Sequence, residues 1–413
     1  MQTNLIDSIK NTPEGREAES ILRACVHCGF CTATCPTFQL LGNELDSPRG
    51  RIYLIKEMLE GAAVTDKTML HLDRCLTCRS CETTCPSGVQ YGRLVDIGRG
   101  IAEEKIERGM GLSIQRSLLR AVLPRTRVFN FMLALGRMIR PLLPRKLAAQ
   151  IPAAQTPKSR PTVRHGRTML VLEGCVQPGL APNTNACAAR VLSRLGITLL
   201  SDRNAGCCGA VSYHLNAQAD GLDYMRRNID AWYPHVQQGA EAILMTASGC
   251  GVMVKEYGYL LRDDPVYAEK AARISALTRD LSEILAAEKD KLLDLMSPGP
   301  RGKVAFHAPC TLQHGQRIVG VIEELLTKAG YELTPVADKH LCCGSAGTYS
   351  ILQKELSQQL LQNKLAALQS GKPAQIASAN IGCQTHLQSG TELPVRHWIE
   401  LLDDALEIAP GRN

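Results

Sequence analysis

Sixteen of the seventeen cysteines in this 413-residue chain fall into four sets of four. Two sets are compact C-x2-C-x2-C-x3-C-P runs, Cys25/Cys28/Cys31/Cys35-Pro36 and Cys75/Cys78/Cys81/Cys85-Pro86. In the bacterial ferredoxin pattern, three cysteines of such a run wrap the corners of one [4Fe–4S] cube and the fourth reaches the other cube. That crossing predicts Cys25, Cys28, Cys31 and Cys85 around a first cluster, and Cys35, Cys75, Cys78 and Cys81 around a second. Zinc ribbons also use C-x2-C pairs, but successive x2 gaps ending in Cys-Pro suit a cube better.

The other two sets are stretched and belong to a repeat. TMLVLEGC (168–175), AGCCG (205–209) and AILMTASGC (242–250) recur as KVAFHAPC (303–310), HLCCG (340–344) and QIASANIGC (375–383). In both copies 31 residues separate the first cysteine from the pair, and 41 and 39 residues then precede the last. Short apolar runs bounded by glycine, alternating with helical periodicity, predict strand, helix, strand, cysteine pair, helix, strand, cysteine in each copy. Right-handed crossovers would gather the carboxyl ends of these parallel strands, where open α/β sheets bind ligands. Cys175, Cys207, Cys208 and Cys250 then converge as a third cluster site, and Cys310, Cys342, Cys343 and Cys383 as a fourth. Gly209 and Gly344 permit a tight turn beside a bulky ligand. Cluster ligation is the favoured reading of these sets. Other thiol or metal chemistry and plain burial of small apolar side chains are the alternatives. Cys187 aligns with Val321 or Ile322 of the second copy, which argues for a core position. His214, His307, His314, His340 and His386 flank the cysteines as hydrogen-bond partners or satisfied interface residues, and His27 is not expected to ligate.

These patterns divide the chain into a helical ferredoxin-type domain (1–107), a basic linker (108–167) and two Cys-Cys-Gly α/β repeats (168–297 and 298–413). The fold class expected is α/β with an α-helical N-terminal part and a duplicated module of parallel sheets. The linker has thirteen Lys or Arg, no Asp or Glu, and six prolines that break it into short pieces. Its apolar residues alternate with arginines as in helices that lie on an anionic membrane or dock on an acidic partner, or it is simply a solvated helix pair.

No run approaches a membrane span, and the polar amino terminus has no apolar signal core. Thiols in such number without an export signal suit a reducing, cytoplasmic compartment. The formal charge of +7 shrinks once clusters load, since each four-thiolate cube adds roughly two negative charges. With aromatic residues at 4%, few stacking platforms exist, and nucleic-acid binding is not expected. No Walker loop, G-x-G-x-x-G fingerprint or Ser-His-Asp set is present, so no nucleotide, flavin or catalytic residue of its own is expected.

Two ferredoxin runs followed by two Cys-Cys-Gly repeats resemble the iron-sulfur subunits of bacterial glycolate oxidase (glycolate dehydrogenase). CVHCGFCTATCPT, DSPRGRIYLIK, LDRCLTCRSCETTCPSGV, NAGCCGAVSYHLNAQ, HLCCGSAGTYS and VRHWIELL carry the likeness, which covers nearly the whole chain. It implies a subunit that takes electrons from an FAD-containing partner oxidising glycolate to glyoxylate and hands them towards a membrane quinone. Such a protein would sit peripherally on the cytoplasmic face of the inner membrane. The equivalent subunits of lactate or glycerol-3-phosphate dehydrogenases, and a heterodisulfide reductase-like catalytic subunit acting on a thiol, disulfide or quinone, are the alternatives. Heterodisulfide reductase repeats end in C-x2-C, whereas Ala247 and Asn380 stand here where the additional cysteine would be, which weighs against disulfide reduction.

Overall fold

A computed structural model describes residues 1–144, 151–297 and 299–407. Arg145 and Lys146 of the basic stretch, and the end of the second repeat from 408, lie outside the described residues. The N-terminal part is helical, built on α1 (Pro13–Ala24), α2 (Pro48–Leu59), α3 (Asp66–Asp73) and α4 (Tyr91–Lys105). Proline at the first turn of α1 and α2 costs no hydrogen bond, and Thr12 and Ser47 cap them by accepting from Gly15 N and Gly50 N. The helical spacing in α2 buries Ile52, Ile55, Met58 and Leu59 against Leu22, Leu72, Leu94 and Val95. This core holds the cysteine loops at its surface.

The basic stretch forms two helices, α5 (Met110–Val122) and α6 (Thr126–Ile139). No residue of α6 is buried, and Met110, Ile114, Leu118, Phe131, Leu135, Met138 and Leu142 are exposed. Not all of its arginines are solvated. Arg108 pairs with Asp73, Arg116 with Glu103 at 3.4 Å, and Arg137 donates to the carbonyls of Pro152, Ala153 and Gly179.

Each repeat is a four-stranded, fully parallel sheet in which the chain crosses over the first strand to place the third beside it. The first has β1 (Arg167–Val171), β2 (Ile197–Leu200), β3 (Ile243–Met245) and β4 (Thr278–Asp280) in the order β2-β1-β3-β4. The second has β5 (Lys303–His307), β6 (Glu332–Leu333), β7 (Gln375–Ser378) and β8 (Val395–His397) in the order β6-β5-β7-β8. The edge strands β4 and β8 are not among the expected elements. Their three residues, Thr-Arg-Asp and Val-Arg-His, are too short and too polar to carry a strand pattern, and pairing with β3 and β7 supplies what propensity lacks. One core runs through both repeats, joining Val171, Leu192, Ile197 and Leu285 to Phe306, Leu325, Trp398 and Leu402. Cys187 lies in that core, fully buried and apart from the four cysteine sets. No helix among the described residues is long and apolar enough to cross a membrane.

Candidate metal centres

The two compact runs share one backbone trick. Residues two beyond the first cysteine, His27 (φ 55°) and Thr77 (φ 52°), and residues one beyond the second, Gly29 (φ 83°) and Arg79 (φ 59°), are left-handed. Alternating hands curl each loop into a tight turn around its cysteines. Cys25, Cys28, Cys31 and Cys85 line one small cavity, which Cys81 also borders, closed by Phe30, Pro86, Val89 and Tyr91. Burial, followed by the neighbouring Cys25, raises the Cys31 thiol to about 11, with Cys85 adding to it. Burial likewise holds the Cys81 thiol well above its usual range, with Cys78, Cys75 and Cys35 among the groups that add to it. The fourth cysteine of each run therefore stands near the other run's first three. Crowded thiols of this kind ionise only when a metal or cluster supplies compensating charge.

Behind Cys35 lies a buried ionic knot. Asp46, wholly inaccessible, meets Arg51 at 3.5 Å, His71 at 2.9 Å and Arg74 at 3.0 Å. Its backbone carbonyl accepts from Thr37 Oγ1 at 2.9 Å and from Cys35 Sγ at 3.7 Å.

In the first repeat the neighbouring Cys175 and Cys208 thiols hold Cys207 well below the ordinary thiol range, while Cys207 and burial push Cys175 and Cys208 up. Cys310 Sγ donates to Cys342 Sγ at 3.9 Å, and Cys343 is joined to Cys342 and Cys383. The two Cys-Cys-Gly turns match in detail. Gly209 and Gly344 have φ 90°, and their amides donate to Cys207 Sγ and Cys342 Sγ at 3.4 Å in each case. A Cβ on either glycine would stand 2.6 Å from a carbonyl of the following helix, Gly221 O or Ser357 O. Only glycine supplies both the left-handed turn and the close approach.

The flanking histidines differ among themselves. His214 meets Asp96 at 3.2 Å, His314 Nε2 donates to His340 O at 2.9 Å while its Nδ1 meets Thr83 Oγ1 at 2.8 Å, and His386 meets Ser357 at 3.2 Å. His307 has no hydrogen-bond partner at either ring nitrogen although it is buried. Its ring nitrogen and the sulfurs of Cys343 and Cys383 lie within 4.8 Å of one another. Asn380, three residues before Cys383, donates to Cys383 Sγ at 3.6 Å and accepts from Gly249 N, in the other repeat, at 3.1 Å.

Sequence spacing does not reveal how the sets face one another. A cavity of about 1480 Å³ is bordered by Cys75 and Cys78, by Cys175, Cys207, Cys208 and Cys250, and by Cys310, Cys342 and Cys383. Cys78 packs against a buried cluster of Leu76, Cys310, Cys342 and Tyr349. Salt-bridged Arg79 and Glu256, together with Tyr349 OH donating to Arg74 O at 3.2 Å, clamp the N-terminal domain onto both repeats. Leu123, Phe129, Met132 and Leu133 of the basic hairpin supply an apolar wall.

Comparison with known proteins identifies the family. Residues 21–89 match the 4Fe-4S dicluster domain, and residues 169–255 and 304–388 match the cysteine-rich domain, once per repeat. The glycolate oxidase iron-sulfur subunit of Escherichia coli (strain K12) is 57% identical over 98% of this chain and 100% of its own length. A probable glycolate oxidase iron-sulfur subunit of Bacillus subtilis (strain 168) is 28% identical over 93% of this chain and 92% of its own. Lactate utilization protein A of Bacillus licheniformis is 28% identical over 55% of this chain and 96% of its own. Dicluster domain, paired cysteine-rich repeats and end-to-end identity place the chain in the family of glycolate oxidase iron-sulfur subunits.

Proposed function

We propose that the chain is the electron-transfer subunit of a multi-subunit glycolate dehydrogenase, taking electrons from an FAD-containing partner and delivering them towards a membrane quinone. The observation that carries this reading is the shared cavity, where the second compact set and both repeat sets face a common space. Iron-sulfur clusters held by the four cysteine sets would supply one-electron chemistry. The ligand sets proposed are Cys25, Cys28, Cys31 and Cys85; Cys35, Cys75, Cys78 and Cys81; Cys175, Cys207, Cys208 and Cys250; and Cys310, Cys342, Cys343 and Cys383. Exposed Cys28 gives the first set access to a donor from outside, whereas Cys78 packs inward against Cys310 and Cys342. Glycolate oxidation itself is assigned to the FAD-containing partner.

The α5–α6 hairpin is proposed to rest on an anionic bilayer. Its exposed apolar side chains offer insertion, and exposed Arg125 and Arg127 each add up to ~1 kcal/mol of attraction to acidic lipid. Because Met132 is exposed and also walls the cavity, an apolar acceptor could pass from the bilayer to the cysteine sites along this hairpin.

The test is anaerobic purification alone and with the neighbouring subunits. Alone, the chain should hold iron and acid-labile sulfide and oxidise no glycolate. Combined with the flavoprotein, it should become reduced when glycolate is added. Glycolate oxidation by the isolated chain, or a complex in which glycolate reduces flavin but leaves this chain oxidised, refutes the proposal.

A further inference from the structure

His307 ends strand β5, three residues before Cys310, and is 2% exposed. Both ring nitrogens are buried without a partner. A buried polar group left unsatisfied is destabilising, so native interiors seldom keep one unless an ion, water or ligand completes it. The nitrogen is not stranded among apolar atoms. It stands with Cys343 Sγ and Cys383 Sγ in a triangle whose members all lie within 4.8 Å, the sole such group of three among the described residues. Ligands sharing a tetrahedral metal, at roughly 2.0–2.3 Å from it, stand about 3.5–3.8 Å from each other, so a small inward adjustment brings all three onto one metal.

The two repeats differ at this point. Aligning Cys175 with Cys310 puts Leu172 opposite His307, and Leu172 is buried too. The first site thus offers thiols alone, and the second offers thiols and an imidazole. Lys364, the nearby ammonium, donates to Asp338 O at 2.8 Å.

We propose that His307 is a nitrogen ligand to iron in the centre of the second Cys-Cys-Gly repeat, making that centre a mixed cysteine–histidine site while the first remains all-cysteine. The inference rests on the reading that the repeats hold clusters, and the experiment separates the two. The full chain, reconstituted anaerobically with iron and sulfide, is prepared with natural-abundance and with ¹⁵N-imidazole histidine. Iron is counted, and pulsed EPR records nitrogen hyperfine coupling in the reduced protein.

More than about eight irons per chain, with a strongly coupled nitrogen whose frequencies change with the histidine label, supports the inference. His307→Leu, which copies the side chain of the first repeat, should lose that coupling. His307→Cys should keep the iron but lower the midpoint of one centre, because a thiolate replaces a neutral ligand. More than about eight irons without any label-sensitive nitrogen overturns histidine ligation and leaves the occupied repeats standing. An iron content of about eight overturns both. The labelled wild-type protein decides the matter even if a variant fails to fold.

Discussion

Replacing Asp46 by asparagine isolates the ionic knot behind Cys35. The carboxylate is fully buried, and so is Arg51, whose Nε also donates to His71 O at 2.6 Å. Opposite charges about 3–3.5 Å apart attract by roughly 5 kcal/mol at an effective dielectric constant near 20. That attraction offsets a desolvation cost of several kcal/mol per ion. Asp46→Asn preserves the shape and removes the charge, leaving the Arg51 guanidinium buried without its carboxylate partner. The expected loss is ~3–5 kcal/mol, or about 10²- to 10⁴-fold in the opening equilibrium. A chain with several domains and bound clusters lacks a single unfolding free energy, so the reading should be local. Amide hydrogen exchange across Pro48–Leu59 in the anaerobic holo-protein reports it, along with faster loss of iron from the Cys35 set. Adding Arg51→Met removes the orphaned charge and should restore most of the protection. Exchange less than about tenfold faster in the single variant, or a double variant worse than the single, refutes the electrostatic account.

Two further substitutions probe the repeats. Gly344→Ala combines a left-handed strain of ~1–2 kcal/mol with a Cβ placed 2.6 Å from Ser357 O. It should lower iron per chain, whereas Gly239→Ala, at φ 96° with nothing within 4 Å, bears the strain alone and should keep its iron; equal iron in both refutes the packing argument. His397, buried between the repeats with its ring on Thr246 O at 2.9 Å, is held at about 3 by burial. Unfolded, it titrates near 6.5, so the unfolded chain takes up a proton that the folded chain refuses. Its stabilising effect is complete above pH 6.5 and falls by ~1.4 kcal/mol per pH unit as pH drops towards 3. His397→Gln should reduce the pH dependence of the amide-exchange protection of Trp398–Glu407 between pH 6.5 and 5 by about one proton, and an unchanged slope refutes it.

The sequence was most legible where chemistry demands close spacing. Successive x2 gaps announce a cluster loop because three ligands must meet within a few residues. The repeat announced itself because two copies keep nearly the same distances between Cys175, the Cys207/Cys208 pair and Cys250 as between their counterparts. Gly209 and Gly344 were readable for the same local reason. The edge strands β4 and β8 were not, since three residues of mixed polarity become strands only through their neighbours. Nor could spacing reveal that Cys78 lies against Cys310 and Cys342, a contact across more than two hundred residues that depends on domain docking. The basic stretch read as amphipathic, yet Arg108, Arg116 and Arg137 serve the fold, because their acidic and carbonyl partners lie in other segments. His307 looked like any flanking histidine, as solitude inside a protein leaves no trace in composition.

Asn380 gives the two halves a common line of communication. Its amide cannot be turned over without losing both the Gly249 N–H and Cys383 Sγ partners, so its dipole has a fixed sense, with the positive end towards sulfur. Ser248 N donating to Ala379 O at 3.1 Å, one residue away on each side, braces the same crossing. A single side chain thus spans from Cys383 to Gly249, the residue next to Cys250, so the two repeat sites share a wall that neither copy could build alone.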